Sequence, residues 1–581
     1  MLENIDTACD AAKELGILAW DTTQTDSGQS VFYGPTGMFS TPALANLRKK
    51  SSTEGSENQT PKTHPSVIRA SLQDGRFRAR LIEDFDIHVN SHNRFVGQQT
   101  LDTIRTAIPI PPKLQLLYTA VIAFGAAVSD DPEVKEMCPA FVEAAKGIAL
   151  SSCQHHADVC VVQALSILAW LEFGRGNNNL AWIFSSLAGA MVLHQGLHVQ
   201  NTPPSEPSTG EPTASPSTAE RVRTFWSFSW VNRLAAAVLG RTPLIPWQQV
   251  SVPPLLSVTS TPTTGDACLS HLNTLWRLHD QHMTAIHAFT FPSLPSTQKA
   301  ALLRTARLAL TTFHASIPPS DARPPPLPFF LLHISYHTAL LLLHRPFLHS
   351  TPAPAAAAAL RALAEHADAV TALLRRLRAA HSLARAPPFL LYHILRTATV
   401  LVLLAAVATK EPRTTEEPGA EEAGTREPGT TEETGVREGG AEEGGRRRRG
   451  VAWPSARLRL CLDALEECGE TWPERGRYAV RVVQELAMRW GVVRALPLRW
   501  SGVVGDGVGA EVEVEVEAEV EAGETGYGDG GYEGGVGEVW GDGEEEGERE
   551  VECGGMLDRG AAELTLDDAV LAGLDLGTYY C

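Results

Sequence analysis

From about residue 65 onward, the apolar residues recur every three or four positions, the spacing that places them along one side of a helix. The runs Leu114 to Val128, Val159 to Phe173 and Leu180 to Leu197 predict helices, as do Cys268 to Phe289, Thr297 to Ala315, Phe329 to Leu343, Ala355 to Ala384 and Phe389 to Thr409. Proline and glycine pairs punctuate them, and the pattern resumes a last time over Ser455 to Trp490. Consistent strand signals are missing. The expected fold class is therefore all-α, a large multi-helix domain with irregular attachments.

One run differs from the others. "FWSFSWVNRLAAAVLGR", Phe225 to Arg241, is apolar on more than one face, so neighbours must surround it and make it the central helix. Ser217 and Glu220 have capping-box spacing, Gly240 supplies a left-handed stop, and Pro243 prevents continuation. Arg233 carries a charge into this apolar setting, where burial without a partner is costly. A carboxylate or a set of backbone carbonyls elsewhere in the fold is the expected partner.

Composition divides the 581 residues further. Residues 1–64 contain a stretch rich in Ser, Thr, Asn and Lys, with too little apolar surface to bury, and read as a flexible segment. Residues 65–409 form a helical domain interrupted by a Pro-rich loop at 201–217. The Glu, Gly, Thr and Arg run at 410–450 reads as a disordered insertion. Residues 451–497 supply closing helices, and 498–581 form an acidic low-complexity tail. The net charge of -19 lies in that tail: from Ser501 onward, 23 acidic residues face two arginines, and the rest of the chain is close to neutral.

Nine cysteines, an odd and sparse set, together with a start lacking a basic or apolar signal, lead us to expect a reducing intracellular location. Phe389 to Thr409 approaches membrane-spanning length, but it contains His393 and Arg396, and a charge in lipid costs about 2.5 kcal/mol or more. A buried helix of a soluble protein is expected, with no membrane partner.

Trp226-Ser227, Asn232-Arg233 and Gly240-Arg241 resemble the W-S, D-R and G-R signature of the fungal-specific transcription factor regulatory domain. This is the middle homology region of fungal regulators with a binuclear zinc cluster. "LAWIFSSLAGAMVLHQGLH" is similar to the family's helix ending in Gly-Leu-His, here Gly196, Leu197 and His198. "SYHTALLLLHRPF", with Tyr336, His344, Arg345 and Pro346, resembles its Y-H-x-x-x-x-L-L-H-R-P segment, and "ECGETWPERGRYAVRVVQEL" resembles its closing helices. The likeness spans roughly Pro65 to Trp490. Asn232 stands where the family usually has Asp, and the family's Arg in the Gly-Leu-His helix is replaced near Ala190.

The resemblance implies a nuclear regulator of RNA polymerase II transcription of metabolic genes, with promoter DNA, the transcription machinery and a small-molecule effector as partners. It also implies a zinc cluster of six cysteines near the start, but Cys9 stands alone in the first hundred residues. Zinc is therefore expected only if a cysteine cluster has been lost upstream; otherwise another protein provides the DNA contact.

Other candidates are weighed against plainer readings. Cys153, His156 and Cys160 would offer metal ligands from one helical face, but buried small residues on an amphipathic helix are the favoured reading. His333 and His337 lack the intervening glutamate of a zinc protease and read as packed histidines. Neither a nucleophile elbow nor a phosphate loop is present, so an enzyme is not expected. Arg446, Arg447, Arg448 and Arg449 suit nuclear import or simple charge balance. Leu566, Asp567, Asp568, Leu571 and Leu574 have the acidic-apolar mix of an activation segment. The rival to a regulator is a helical scaffold or small-molecule-binding protein with no role in transcription.

Overall fold

A computed structural model describes residues 10–18, 21–24, 30–34, 74–200, 216–320, 322–349, 353–410 and 452–497. All of them fall within one compact unit. Helix α1 (Asp10–Gly16) and a hairpin of β1 (Asp21–Gln24) and β2 (Ser30–Tyr33) come first. The helical body then runs through α2 (Gly75–Phe85), α3 (Gln98–Thr106), α4 (Gln115–Val128), α5 (Pro132–His155), α6 (Val159–Gly174), α7 (Asn178–His194) and α8 (Pro216–Leu239). It continues through α9 (Thr264–Ile286), α10 (Ser296–Ala315), α11 (Leu327–His344), α12 (Ala353–Ala380), α13 (Pro388–Lys410), α14 (Ala452–Cys468) and α15 (Pro473–Arg489).

Three helices lack a solvent face and organise the rest. Every residue of α4 is buried, and α6 is buried from Val161 to Gly174. Such helices require neighbours all round. α2, α5 and α6 enclose α4, whereas α4, α7, α8 and α13 enclose α6. At Gly125 of α4 the backbone of α2 comes so close that a Cβ would lie 2.1 Å from the Leu81 carbonyl oxygen. α13 is wrapped by α6, α11, α12, α14 and α15.

An aromatic cluster joins segments that lie far apart in sequence. The ring of Trp230 in α8 lies 5.2 Å from Phe389 in α13, 6.3 Å from Trp170 in α6 and 6.4 Å from Trp276 in α9. Full burial of such a side chain is worth roughly 1.5–3 kcal/mol, so these contacts bind the two halves into one core. The closing helices join the same core. Trp472 Nε1 donates to the Ala386 carbonyl at 2.8 Å, and buried Arg475 donates from Nε to the Phe173 carbonyl at 3.1 Å. The 452–489 segment therefore packs with helices that precede the Glu/Gly run.

Two described helices are long and apolar enough to cross a membrane. They are Leu327–His349, 72% buried within the body, and Pro388–Thr409, 94% buried. In the second, the two polar residues noted in the sequence have internal contacts: His393 Nε2 lies 3.1 Å from Ser335 Oγ, and the Arg396 guanidinium lies 5.3 Å from the Tyr392 ring centre.

Two details go beyond the sequence reading. Within the segment expected to be flexible, α1 buries Ala11, Ala12 and Leu15, and the hairpin pairs Asp21 with Tyr33 and Gln24 with Ser30. Arg345 anchors α1 by donating from Nη2 to the Ile17 carbonyl at 3.0 Å. A seven-residue helix and four-residue strands are too short to show periodicity, and here they draw their burial from the body. The Ser455 to Trp490 run is two helices, α14 and α15, parted at the Gly469 turn and restarted with Pro473 at the first helical position.

Candidate functional site

Helix α8 holds the polar residues that first drew attention, and each ties it to a different neighbour. The helix runs from Pro216, and the side chain of Ser217, the expected partner of Glu220 in a capping box, lies outside the described residues. Glu220 accepts from the Gly97 backbone N–H at 3.2 Å, from Gln163 Nε2 at 2.6 Å and from Arg223 Nη1 at 2.7 Å. The first two tie α8 to segments far away in sequence, leaving this partly buried carboxylate well satisfied.

The far end matches the expectation. Gly240 has φ +69°, and the Arg241 N–H donates to the Ala236 carbonyl at 2.8 Å, the six-to-one bond of a Schellman stop. A Cβ on Gly240 would lie 2.2 Å from the Gly34 carbonyl oxygen, so glycine is also required by the close approach of the hairpin's end. The Arg241 guanidinium lies 4.8 Å from the Trp182 ring centre in α7.

Arg233 finds both kinds of expected partner. Its Nη1 pairs with Asp280 of α9, and its Nη2 donates to the Ile245 carbonyl at 3.0 Å. The guanidinium also lies 3.4 Å from the Trp247 ring centre. Burial pushes its pKa down to about 10 against the pull of Asp280, so it remains charged at neutral pH. Asn232 donates from Nδ2 to Ser185 Oγ at 2.9 Å and accepts the Leu244 N–H at 2.9 Å. The acid that pairs with Arg233 therefore comes from the next long helix, not from position 232.

Ser227 and Trp226 act on another turn. Ser227 Oγ lies 2.9 Å from the carbonyl oxygens of both Asn93 and Arg94. Arg94, at φ 55°, is the single non-glycine residue in the left-handed region among the described residues. Its Nε donates at 3.0 Å to Asp266, the capping-box acid of α9. Burial works to raise the pKa of Asp266, but hydrogen bonds from Thr263 and the charge of Arg94 bring it below the ordinary value. Trp226 is half-buried and donates from Nε1 to the Pro253 carbonyl at 2.8 Å.

The turn at Arg94 lines a cleft of about 770 Å³, within the size range of small-molecule sites. Ile87, His88, Thr263, Leu327 and Arg385 also line it. Arg385 donates from Nη1 to His88 Nε2 at 2.6 Å and pairs with exposed Asp130 at the rim. Burial, and then the charge of Arg385, hold the His88 pKa below its ordinary value. Apolar walls with two arginines and a neutral imidazole suit a small organic ligand bearing an acidic group.

The remaining signature residues are scattered. Gly196, at φ +60°, closes α7, and the Leu197 N–H donates to the Val192 carbonyl at 2.9 Å. The His198 carbonyl accepts from the Ser251 N–H at 3.1 Å. Tyr336 stacks on His314 with ring centres 3.8 Å apart, His344 and Pro346 are buried, and Arg345 holds α1.

Cys153, His156 and Cys160 do not share a helical face. α5 ends at His155, and Asp158 caps α6 by accepting the N–H of Cys160 at 2.9 Å, so a break lies between the two cysteines. Burial, then Asp158, pushes the Cys160 thiol up to about 12, the opposite of a ready metal ligand. Arg446 to Arg449, and Leu566, Asp567, Asp568, Leu571 and Leu574, lie outside the described residues. Sequence reasoning missed Asp280, Ser185, Arg94 and Asp266. Each is a single polar residue whose partner is distant in sequence, and only the capping box of Thr263 and Asp266 had a local signal.

This architecture defines a class: an all-helical body in which α8 is buried from Ser227 to Leu239, with a ligand-sized cleft beside the turn that this helix anchors. Residues 103–303, about a third of the chain, match the family model for the fungal specific transcription factor domain. The match runs from α3 into α10. Three proteins of Schizosaccharomyces pombe, each described as an uncharacterized transcriptional regulatory protein, are similar to the chain. One is 28% identical over 138 residues, covering 24% of this chain and 22% of the relative. A second is 25% identical over 236 residues, 39% of this chain and 34% of the relative. The third is 28% identical over 139 residues, 24% of this chain and 38% of the relative. The chain thus covers less than two fifths of the length of each of these relatives. No solved structure matches.

Proposed function

We propose that this chain is a fungal transcription regulator that acts in the nucleus, and that its helical body carries the regulatory part of that work. The observation behind this reading is the coincidence of two findings. The family match covers α8, and the signature residues on α8 form a buried network leading through Ser227 and Arg94 to the cleft. Occupation of the cleft by a small acidic metabolite would pull on Arg94 and Arg385, and α8 and α9 would transmit the change. Promoter DNA is reached directly through a zinc cluster outside this chain's cysteines or through a partner protein, and the acidic tail with Leu566 to Leu574 contacts the transcription machinery. Names shared with regulators favour this reading over an enzyme.

The test is made in fungal cells with the chain tagged at its native locus. Nuclear accumulation, promoter occupancy by chromatin immunoprecipitation and altered transcripts of the occupied genes on deletion are expected. A tagged protein that stays outside the nucleus and occupies no promoter would overturn the proposal in favour of a scaffold.

A further inference from the structure

The wall of the cleft beside the Arg94 turn is irregular where α2 ends. Over Asp86–Asn90 the chain widens into a π turn, in which the Ser91 N–H reaches back five residues to the Asp86 carbonyl. Such turns are rare and are found often at functional sites. This one carries Ile87 and His88 on the cleft wall. Ile87 is 56% exposed despite its large apolar side chain, and half-buried Leu327 lines the same cleft. Apolar groups left open in a concave site favour a ligand that covers them.

Charge supplies a second observation. Among the described residues, the charged side chains lining the cleft are Arg94, Arg385 and Asp130, and the two arginines are held differently. Arg94 Nε donates to Asp266, a carboxylate only 1% exposed that Thr263 also bonds. Exchanging it for a ligand's acid would strand a buried charge. Arg385 has Nη2 on Asp130, whose side chain is 78% exposed, and Nη1 on the His88 ring. An exposed pair adds little, and Asp130 returns to water without a desolvated charge left behind. The cleft therefore offers one cation whose counter-ion is exchangeable.

We propose that the effector of this cleft is a monocarboxylic acid with an apolar body. Its carboxylate binds Arg385 in exchange for Asp130, and its body lies along Ile87 and Leu327 toward the Arg94 turn. The inference rests on the reading of the cleft as the regulatory site and narrows its ligand. A second acidic group would meet either Arg94, already neutralised by Asp266, or the Asp130 carboxylate itself, so a dicarboxylate gains nothing. His88 Nε2, accepting from Arg385 at 2.6 Å, holds the guanidinium in place for the acid. Asp130 is then a resident competitor that sets the concentration at which the ligand enters.

The experiment titrates the purified full chain by calorimetry with octanoate, 1-octanol and suberate, probes of equal chain length that differ in their carboxylates. Octanoate should bind at a single site, about tenfold or more tighter than either of the others, as one charge-assisted contact implies. Arg385→Met should bring octanoate down to the level of octanol. Asp130→Asn should tighten octanoate about threefold and leave octanol unchanged, a gain that a misfolded variant does not give. No saturable binding of octanoate, equal binding of the three probes, or octanoate binding that Asp130→Asn leaves unchanged or weakens overturns the proposal. A chain that occupies promoters but fails these titrations keeps the regulator reading and loses this ligand. One that passes them but stays outside the nucleus does the reverse.

Discussion

Replacing Arg233 with Met keeps most of the aliphatic stem against Trp247 and removes the charge. Three losses follow from the geometry. Asp280 loses its partner, the Ile245 carbonyl loses a donor, and the ring of Trp247 loses its cation. Breaking a buried pair from one side costs about 3–5 kcal/mol, but Asp280 is 23% exposed and regains water, which reduces its share. The orphaned carbonyl costs about 1–3 kcal/mol, and the cation–π contact is worth about 0.5–2 kcal/mol. Because the three share one side chain they do not add, and we expect a loss of about 3 kcal/mol. Urea unfolding of the full chain, followed by helical circular dichroism, reads this as a lower midpoint at constant slope. Asp280→Asn should cost a similar amount, since it leaves Arg233 charged at 5% exposure. In the Arg233→Met/Asp280→Asn double variant, the coupling should exceed about 1 kcal/mol. A loss below about 1 kcal/mol for Arg233→Met, or strict additivity in the cycle, would refute the reasoning that this pair fixes α8 on α9.

Gly240→Ala combines a left-handed backbone with a Cβ clash on Gly34, so it should cost about 2 kcal/mol or more and expose residues 21–34 to protease earlier than in the parent. Trp230→Ala should cost about 3–5 kcal/mol by emptying the centre of the aromatic cluster; a midpoint shift within error would show that the cluster does not carry the core. His92, His337 and His393 are held near pKa 3, and His333, His344 and His366 near 4, in each case by burial first. A depressed folded pKa means that the unfolded chain binds protons first. Stability should therefore be complete above about pH 6.5 and fall progressively toward pH 4, by at most ~1.4 kcal/mol per pH unit for each group. A denaturation midpoint constant between pH 7 and pH 5 would contradict this.

The comparison of sequence with structure divides along the range of the interactions. α4, α6, α8, α11 and α13 were legible because each is an apolar run longer than a strand, bounded by breakers, and that signal is local. Gly240 was legible as a helix stop because a left-handed residue after an apolar helix is itself local chemistry, whereas the predicted run to Leu197 passed over the stop at Gly196. α1 and the hairpin were not, since they are too short to carry a period and gain their burial from distant segments such as the Arg345–His349 turn and Gly240. The apparent single face of Cys153, His156 and Cys160 failed because Asp158 starts a new helix between them.

By itself, the sequence determined that this protein is a helical body, that the Phe225 to Arg241 helix is packed on several sides and that Arg233 must have a partner. The tertiary structure alone decided that the partner is Asp280, that Ser227 holds the strained turn at Arg94 beside a cleft, and that five histidines from three helices meet. The reason is that periodic burial is encoded within one helical turn, whereas a polar pair 47 residues apart depends on how whole helices pack.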